Sequence, residues 1–252
     1  MDQTTITLGM TTELEASLKM AERPVFIPCE SGDHLVKTCF VDFEWHPGFA
    51  ISQKQKSISS LHLNAEHQLQ LSKILEISSK SPDQIGVSAS AFNLRITTKK
   101  LNKNFSVECA FQASKKFEHG GPYVDILDKT SIEAKKDERL KNSGRLIEFI
   151  FYKSTWPLEP KTMFYDWLYI NALNGNKNIA EKILEHDAYT DIEFNHERSI
   201  NCQAYSAALY AALFRRGLLS EALFSEDRYK SIISRYKTDN ARDNTSIQPN
   251  LV

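Results

Sequence analysis

The chain has 252 residues, 41% of them hydrophobic, which suits one large globular domain or one domain with an added lobe. Lys plus Arg number 31 against 32 Asp plus Glu, a net charge of −1. This excludes a strongly basic protein that coats nucleic acid, and confines any DNA or RNA contact to a local patch or pocket. No window approaches the roughly 18 consecutive apolar residues of a membrane span. The start "MDQTTITLGM" lacks the basic and apolar regions of a secretory signal. The four cysteines (Cys29, Cys39, Cys109, Cys202) form no C-x-x-C pair and read as reduced thiols, so a cytoplasmic protein is expected. The seven histidines show no H-x-x-x-H or H-E-x-x-H spacing, so no metal ligand is assigned.

In chain order, residues 1–22 are polar and mildly helical. "RPVFIPC" and "HLVKTCFVDFEW" are rich in β-branched and aromatic residues and predict strands. "HPGFAISQKQKSISSLHLNAEHQ" opens on a Pro-Gly turn and becomes helical, and "KILEISSKS" reads as a short strand entering a loop. "SPDQIGVSASAFNL" is loop-like, with Pro82 and Gly86 as breakers, and "RITTKKLNKNFS" suits a strand or hairpin edge. "ECAFQASKKF" (108–117) predicts a helix, capped by Asn104 or Ser106 and stopped by "HGGP" at 119–122. Beyond it helices are expected to dominate: "YVDILDK", "SIEAKKDERLKNSG", "EPKTMFYDWLYINALNG" and "NIAEKILEHD". After the short extended "YTDIEFN" come "SINCQAYSAALYAALFRRG", the most apolar helix, and a final helix "SEALFSEDRYKSIISRYK". The expected class is α+β, helix-dominated, with strands concentrated before residue 110.

At about 100° per residue, Gln112 lies about 40° from Glu108 and Lys115 about 20° on its other side, so the three form a line two turns long. Cys109, Ala110, Ala113 and Phe117 fall on the far side. Periodicity alone makes the polar line a solvated face of an amphipathic helix. Phe111 beside it suits a pocket wall better. Asp166, within the apolar stripe that carries Trp167 and Tyr169, reads as a helix-surface ion pair.

"SVECAFQASKKF" resembles the central motif of the NADAR/YbiA-like family, S-E-x-x-F-Q-A-x-K. Glu108, Phe111, Gln112, Ala113 and Lys115 match in register, with Val107 inserted after Ser106. "SASAFNL" is similar to the family's F-S-N-F loop: Ser90 and Phe92 match, and Ala91 stands where the family often has Asn. Trp156 sits where the family has a Trp ahead of a helix of the same cadence. "YTDIEFNHERSINCQA" resembles the family's Y-W-G-D…G-K-N region, with Asn201 aligned and Asp191 and Glu193 competing for the Asp. The phrases "FEWHPGF", "FYDWLYINAL" and "TDIEFN" look closer to the branch of NADAR antitoxins encoded beside DarT-type toxins, which attach ADP-ribose to guanine in DNA.

The resemblance implies a NADAR/YbiA-like multihelical catalytic domain over 76–237 and a strand-containing N-terminal addition over 1–75 packed on it; the polar composition of 238–252 reads as a frayed tail. It implies an N-glycosidase that removes ADP-ribose from guanine bases of DNA as an antitoxin, with no cofactor and no membrane. The implied partners are ADP-ribosylated guanine and a cognate ADP-ribosyltransferase toxin. Two alternatives remain open: an N-glycosidase acting on a ribosylaminopyrimidine phosphate of riboflavin biosynthesis, and a non-catalytic module binding ADP-ribose or a partner. An oxocarbenium-like transition state calls for a carboxylate, for which Glu108 is the candidate. Lys115 is the second catalytic candidate, as a charge beside Glu108 or as a Schiff-base nucleophile. Gln112 would fix a hydroxyl or water, Trp156 would stack the base, and Asp191 would be the second carboxylate. Lys80, Ser90, Phe92, Asn93, Phe111 and Asn201 complete the expected substrate-binding set.

Overall fold

The computed structural model describes residues 19–98, 102–196 and 199–237. Strand β1 (Met20–Pro28) pairs antiparallel with β2 (Val36–Glu44) along their full lengths, Met20 opposite Glu44 and Pro28 opposite Val36. The helical reading of 1–22 thus gives way to strand from Met20; its earlier part lies outside the described residues. Side chains alternate across β1, so Val25 enters one hydrophobic cluster and Phe26 another. On Val25's side lies α1 (Ile51–Leu69), whose Ile58, Leu61 and Ala65 pack with Val41 and Phe43. The sheet is completed by β3 (Ile74–Glu76) and β9 (Ala188–Thr190), in the order β2-β1-β9-β3. β9 lies between β1, antiparallel through Phe26 opposite Tyr189, and β3, with which it runs parallel.

The segment expected as a loop over 81–94 contains α2 (Gln84–Ala89), capped by Asp83, whose carboxylate accepts from the Ile85 amide at 2.7 Å. Gly86, read as a breaker, is there for closeness: a Cβ at that position would stand 1.9 Å from the Glu76 carbonyl oxygen. The hairpin of β4 (Arg95–Thr97) and β5 (Asn104–Ser106) then delivers the chain into α3 (Val107–Ala113). Ser106 caps α3, its hydroxyl accepting from the Cys109 amide at 3.1 Å.

α3 is shorter than its periodicity suggests. Lys115 opens β6 (Lys115–Phe117), which pairs with β7 (Leu146–Phe151), and β7 with β8 (Ser154–Trp156). A partner strand rich in Ile and Phe thus overrides the local helical preference. "HGGP" is the turn after this strand, with Gly121 at φ +74. The two longest strands, β1 and β2, precede residue 110 as expected, but shorter strands also lie beyond it, from β6 to β9. Between β6 and β7 lie a 3-10 turn (Val124–Asp128), α4 (Ser131–Lys135) with a Thr130–Glu133 capping box, and α5 (Arg139–Asn142).

The core helices are α6 (Met163–Gly175) and α8 (Gln203–Arg215), with α7 (Lys177–Ile183) between them in sequence. The expected final helix is two, α9 (Leu219–Ala222) and α10 (Glu226–Ile233), because Ser225 caps the Arg228 amide and starts a new helix. The architecture is mixed α+β. Among the described residues no helix is long and apolar enough to cross a membrane. The tail 238–252 lies outside the described residues.

Candidate active site

α3 is buried along its whole length, polar residues included. Its polar line is no solvated face: Glu108 and Gln112 are each 7% exposed and Lys115 5%. All three border a cavity of about 400 Å³. Its other walls come from the 78–79 and 90–92 loops, α4, α6 and the 191–203 segment. Lys115 arrives from a strand rather than from the helix, its ammonium 5.0 Å from the centre of the Phe111 ring.

Gln112 Nε2 donates to Glu108 Oε1 at 2.9 Å and fixes the carboxylate. Gln112 Oε1 and Asn201 Oδ1 are buried at the cavity with no hydrogen-bond partner among the described residues. Two orphan acceptors suit a ligand rich in O–H or N–H donors, since leaving them dry and unpaired costs about 1–3 kcal/mol each. Burial pushes the Lys115 amine down to about 8; Glu108 acts in the opposite sense and Lys135 in the same sense.

Asp191 faces the same cavity from just beyond β9. Its Oδ2 accepts from Gln203 Nε2 at 2.9 Å and its Oδ1 from the Glu193 amide at 3.0 Å. Gln203 Oε1 in turn accepts from the Ala91 amide at 2.7 Å, tying Asp191 to the 90–92 loop. Burial first, and the Glu76 charge second, push the Asp191 carboxyl up to about 8. Burial also raises the Tyr165 phenol well above its ordinary value, so the cavity wall carries a neutral hydroxyl there. Glu193, the competitor for the Asp position, also borders the cavity but sits exposed, paired with Lys54 at 3.2 Å.

The family model of DarT1-associated NADAR antitoxins matches residues 21–243, from β1 through α10. The chain belongs to this family. The NADAR family name implies association with a DarT1 toxin. No curated protein matches the chain.

Of the residues singled out from the NADAR-like motifs, Ser90, Phe92, Glu108, Phe111, Gln112, Lys115, Asp191 and Asn201 all border the cavity. Three do not. Trp156 is 0% exposed on β8, packed on Phe164 and Trp167 with the Lys230 ammonium 4.3 Å from its ring, so it is a core aromatic and no stacking platform. Exposed Asn93 turns its side chain back onto the loop, donating to the Val87 carbonyl at 2.9 Å and to Ser90 Oγ at 3.1 Å. Lys80 lies outside the lining, although Ser78 and Ser79 just before it are part of it. Asp166 is buried, not at the surface, and accepts from Ser206 Oγ at 2.6 Å.

Sequence reasoning missed Lys135, Tyr165 and Gln203 as cavity residues. Lys135 carries the available signal: the Thr130–Glu133 capping box fixes where α4 starts, but not that its end meets Phe92, whose ring centre is 5.5 Å from the Lys135 ammonium.

Proposed function

We propose that this chain is a hydrolase that removes ADP-ribose from guanine bases of DNA, acting as antitoxin to a DNA ADP-ribosyltransferase. The observation that supports it most is the convergence of Glu108, Lys115 and Asp191, from three separate elements, on one buried cavity. Membership of the antitoxin family supplies the biological setting.

In this reading the bond between ribose C1″ and the guanine nitrogen breaks heterolytically. Positive charge grows on C1″ and the ring oxygen, and the Glu108 carboxylate, oriented by Gln112, stabilises it. The departing nitrogen takes a proton from Asp191, a buried acid that stays protonated near neutral pH. Water adds to C1″ and gives its proton to Glu108, leaving free ADP-ribose and unmodified guanine. Lys135 and Lys115 supply cations for the pyrophosphate and ribose, and Phe92 an apolar plane.

The lowered Lys115 pKa favours a second route through the same cavity. A partly neutral buried amine can add to C1″ of a ring-opened sugar, expel the base amine and form an imine that water then hydrolyses. The test is release of ADP-ribose from a guanine-ADP-ribosylated oligonucleotide, with and without borohydride. Release lost in Glu108→Gln is the expected result. A borohydride-trapped ADP-ribosyl adduct on the wild type, absent in Lys115→Arg, would select the covalent route. An inert wild-type protein with intact ADP-ribose binding would overturn the hydrolase reading.

A further inference from the structure

Glu76 ends β3, opposite Thr190 in the parallel pairing with β9, and is 1% exposed. Its Oε2 accepts from Thr190 Oγ1 at 2.7 Å and its Oε1 from the Ile192 amide at 2.8 Å. One carboxylate therefore grips the residues on both sides of Asp191. The alternation of the strand continues through this stretch. Ala188 and Ile192 join the cluster under α1 and Thr190 meets His62 of α1, while Tyr189 joins the opposite cluster and Asp191 faces the cavity. Glu76 stands behind the cavity wall and does not line it.

Resting on the hydrolase reading above, we propose that Glu76 is a positioning residue that acts through Asp191, fixing it in the cavity wall as the proton donor to the departing base. Thr190 Oγ1 donates its hydrogen bond to Glu76 and so accepts from His62 Nε2 at 2.8 Å, and a three-group chain runs from α1 to the site. His62 itself carries no charge: burial, and then His186, lower it to about 4. The charge on Glu76 is thus left unneutralised by its own relay. Burial pushes the Glu76 carboxyl up, and donors from Ser78, Ile192 and Thr190 hold it down. The net push on Glu76 is upward, as it is on Asp191, and it is Asp191 that the Glu76 charge raises further.

The other titratable groups around Asp191 do not compete for this role. Tyr165 and Tyr169 of α6 and Cys202 before α8 are all raised by burial and stay neutral. Glu193, on Asp191's own segment and paired with Lys54 of α1, adds only a smaller push on Asp191 in the same sense as Glu76. Glu76 is the charged partner in contact with the Asp191 backbone on either side.

The test is Glu76→Gln, which the relay can accommodate. The side-chain oxygen keeps the Ile192 amide, the new NH₂ donates to Thr190 Oγ1, and that hydroxyl turns to donate to His62. Release of ADP-ribose from the modified oligonucleotide at pH 8 is expected to fall about fivefold, the alkaline limb of the pH profile moving to lower pH by about one unit. Hydrolysis of a 4-nitrophenyl glycoside of ADP-ribose, whose leaving group needs no proton, is expected to change less than about twofold. Equal losses on both substrates, or an unmoved pH limb, would overturn the proposal and leave Glu76 a structural residue. Infrared titration of protein carrying ¹³C-carboxyl aspartate reads the same coupling without substrate. The protonated band absent in Asp191→Asn must titrate at lower pH in Glu76→Gln; an identical titration overturns the proposal. A shifted titration in a protein that cleaves neither substrate supports the coupling and sinks the hydrolase reading instead.

Discussion

Asp191 and Asp166 are both buried carboxyls whose protons burial makes hard to remove, up to about 8 and about 7 respectively. Asp191 borders a cavity of about 400 Å³ together with Glu108, Lys115 and Lys135. Asp166 borders a void of about 20 Å³, room for one water, and is served by the hydroxyls of Ser206 and Thr162. The contrast teaches that a raised pKa reports burial. Access and charged company distinguish a group that can meet a substrate from one that only completes a core.

Several substitutions test this contrast. The largest effect is expected from Asp191→Asn and Glu108→Gln, each lowering ADP-ribose release by about 10²–10⁴-fold. Asp166→Asn, in a steady-state assay of the same oligonucleotide, is expected to stay within about twofold; a loss as large as that of Asp191→Asn would erase the distinction.

Next is pH. Lys115 loses its proton through about pH 8. If its free amine attacks C1″, turnover rises from pH 6 to 8 and Lys115→Arg flattens that rise; if its charge alone matters, Lys115→Arg retains most activity.

Third is stability. The folded Asp166 pKa of about 7 is raised above the ordinary 3.8. The folded state therefore binds this proton more tightly. That contribution is whole below about pH 4 and is lost as pH rises toward 7. Relieving it in Asp166→Asn should stabilise the protein at pH 8 by about 2–4 kcal/mol, and by far less at pH 4, in paired denaturant titrations. The smallest effect is expected from Phe92→Ala, which should weaken ADP-ribose binding by calorimetry about 5–10-fold with little change in turnover of bound substrate.

Much of this site could be read from the chain because its signals are local. Ser106 ahead of α3, and the spacing of Glu108 and Gln112, put two side chains in one line, and Lys115 meets the same cavity from just beyond the helix. That Lys115 stands on a strand was not legible, since its partner β7 lies some thirty residues on. Trp156 misled for the same reason: an aromatic beside a motif looks available until β7, α6 and α10 close over it. Gly86 read as a breaker because the need it meets, a close pass over Glu76, lies in another element. Glu76 carried no motif, and its importance appears only when β3 and β9 are seen side by side.

The place of β9 in the sheet has a temporal consequence. Its neighbours are β1, made about 160 residues earlier, and β3, made more than a hundred earlier, and Asp191 follows it directly. Gln203, which ties Asp191 to the 90–92 loop, comes later still. A chain still emerging from the ribosome therefore holds Glu108 and Lys115 long before it holds a complete site.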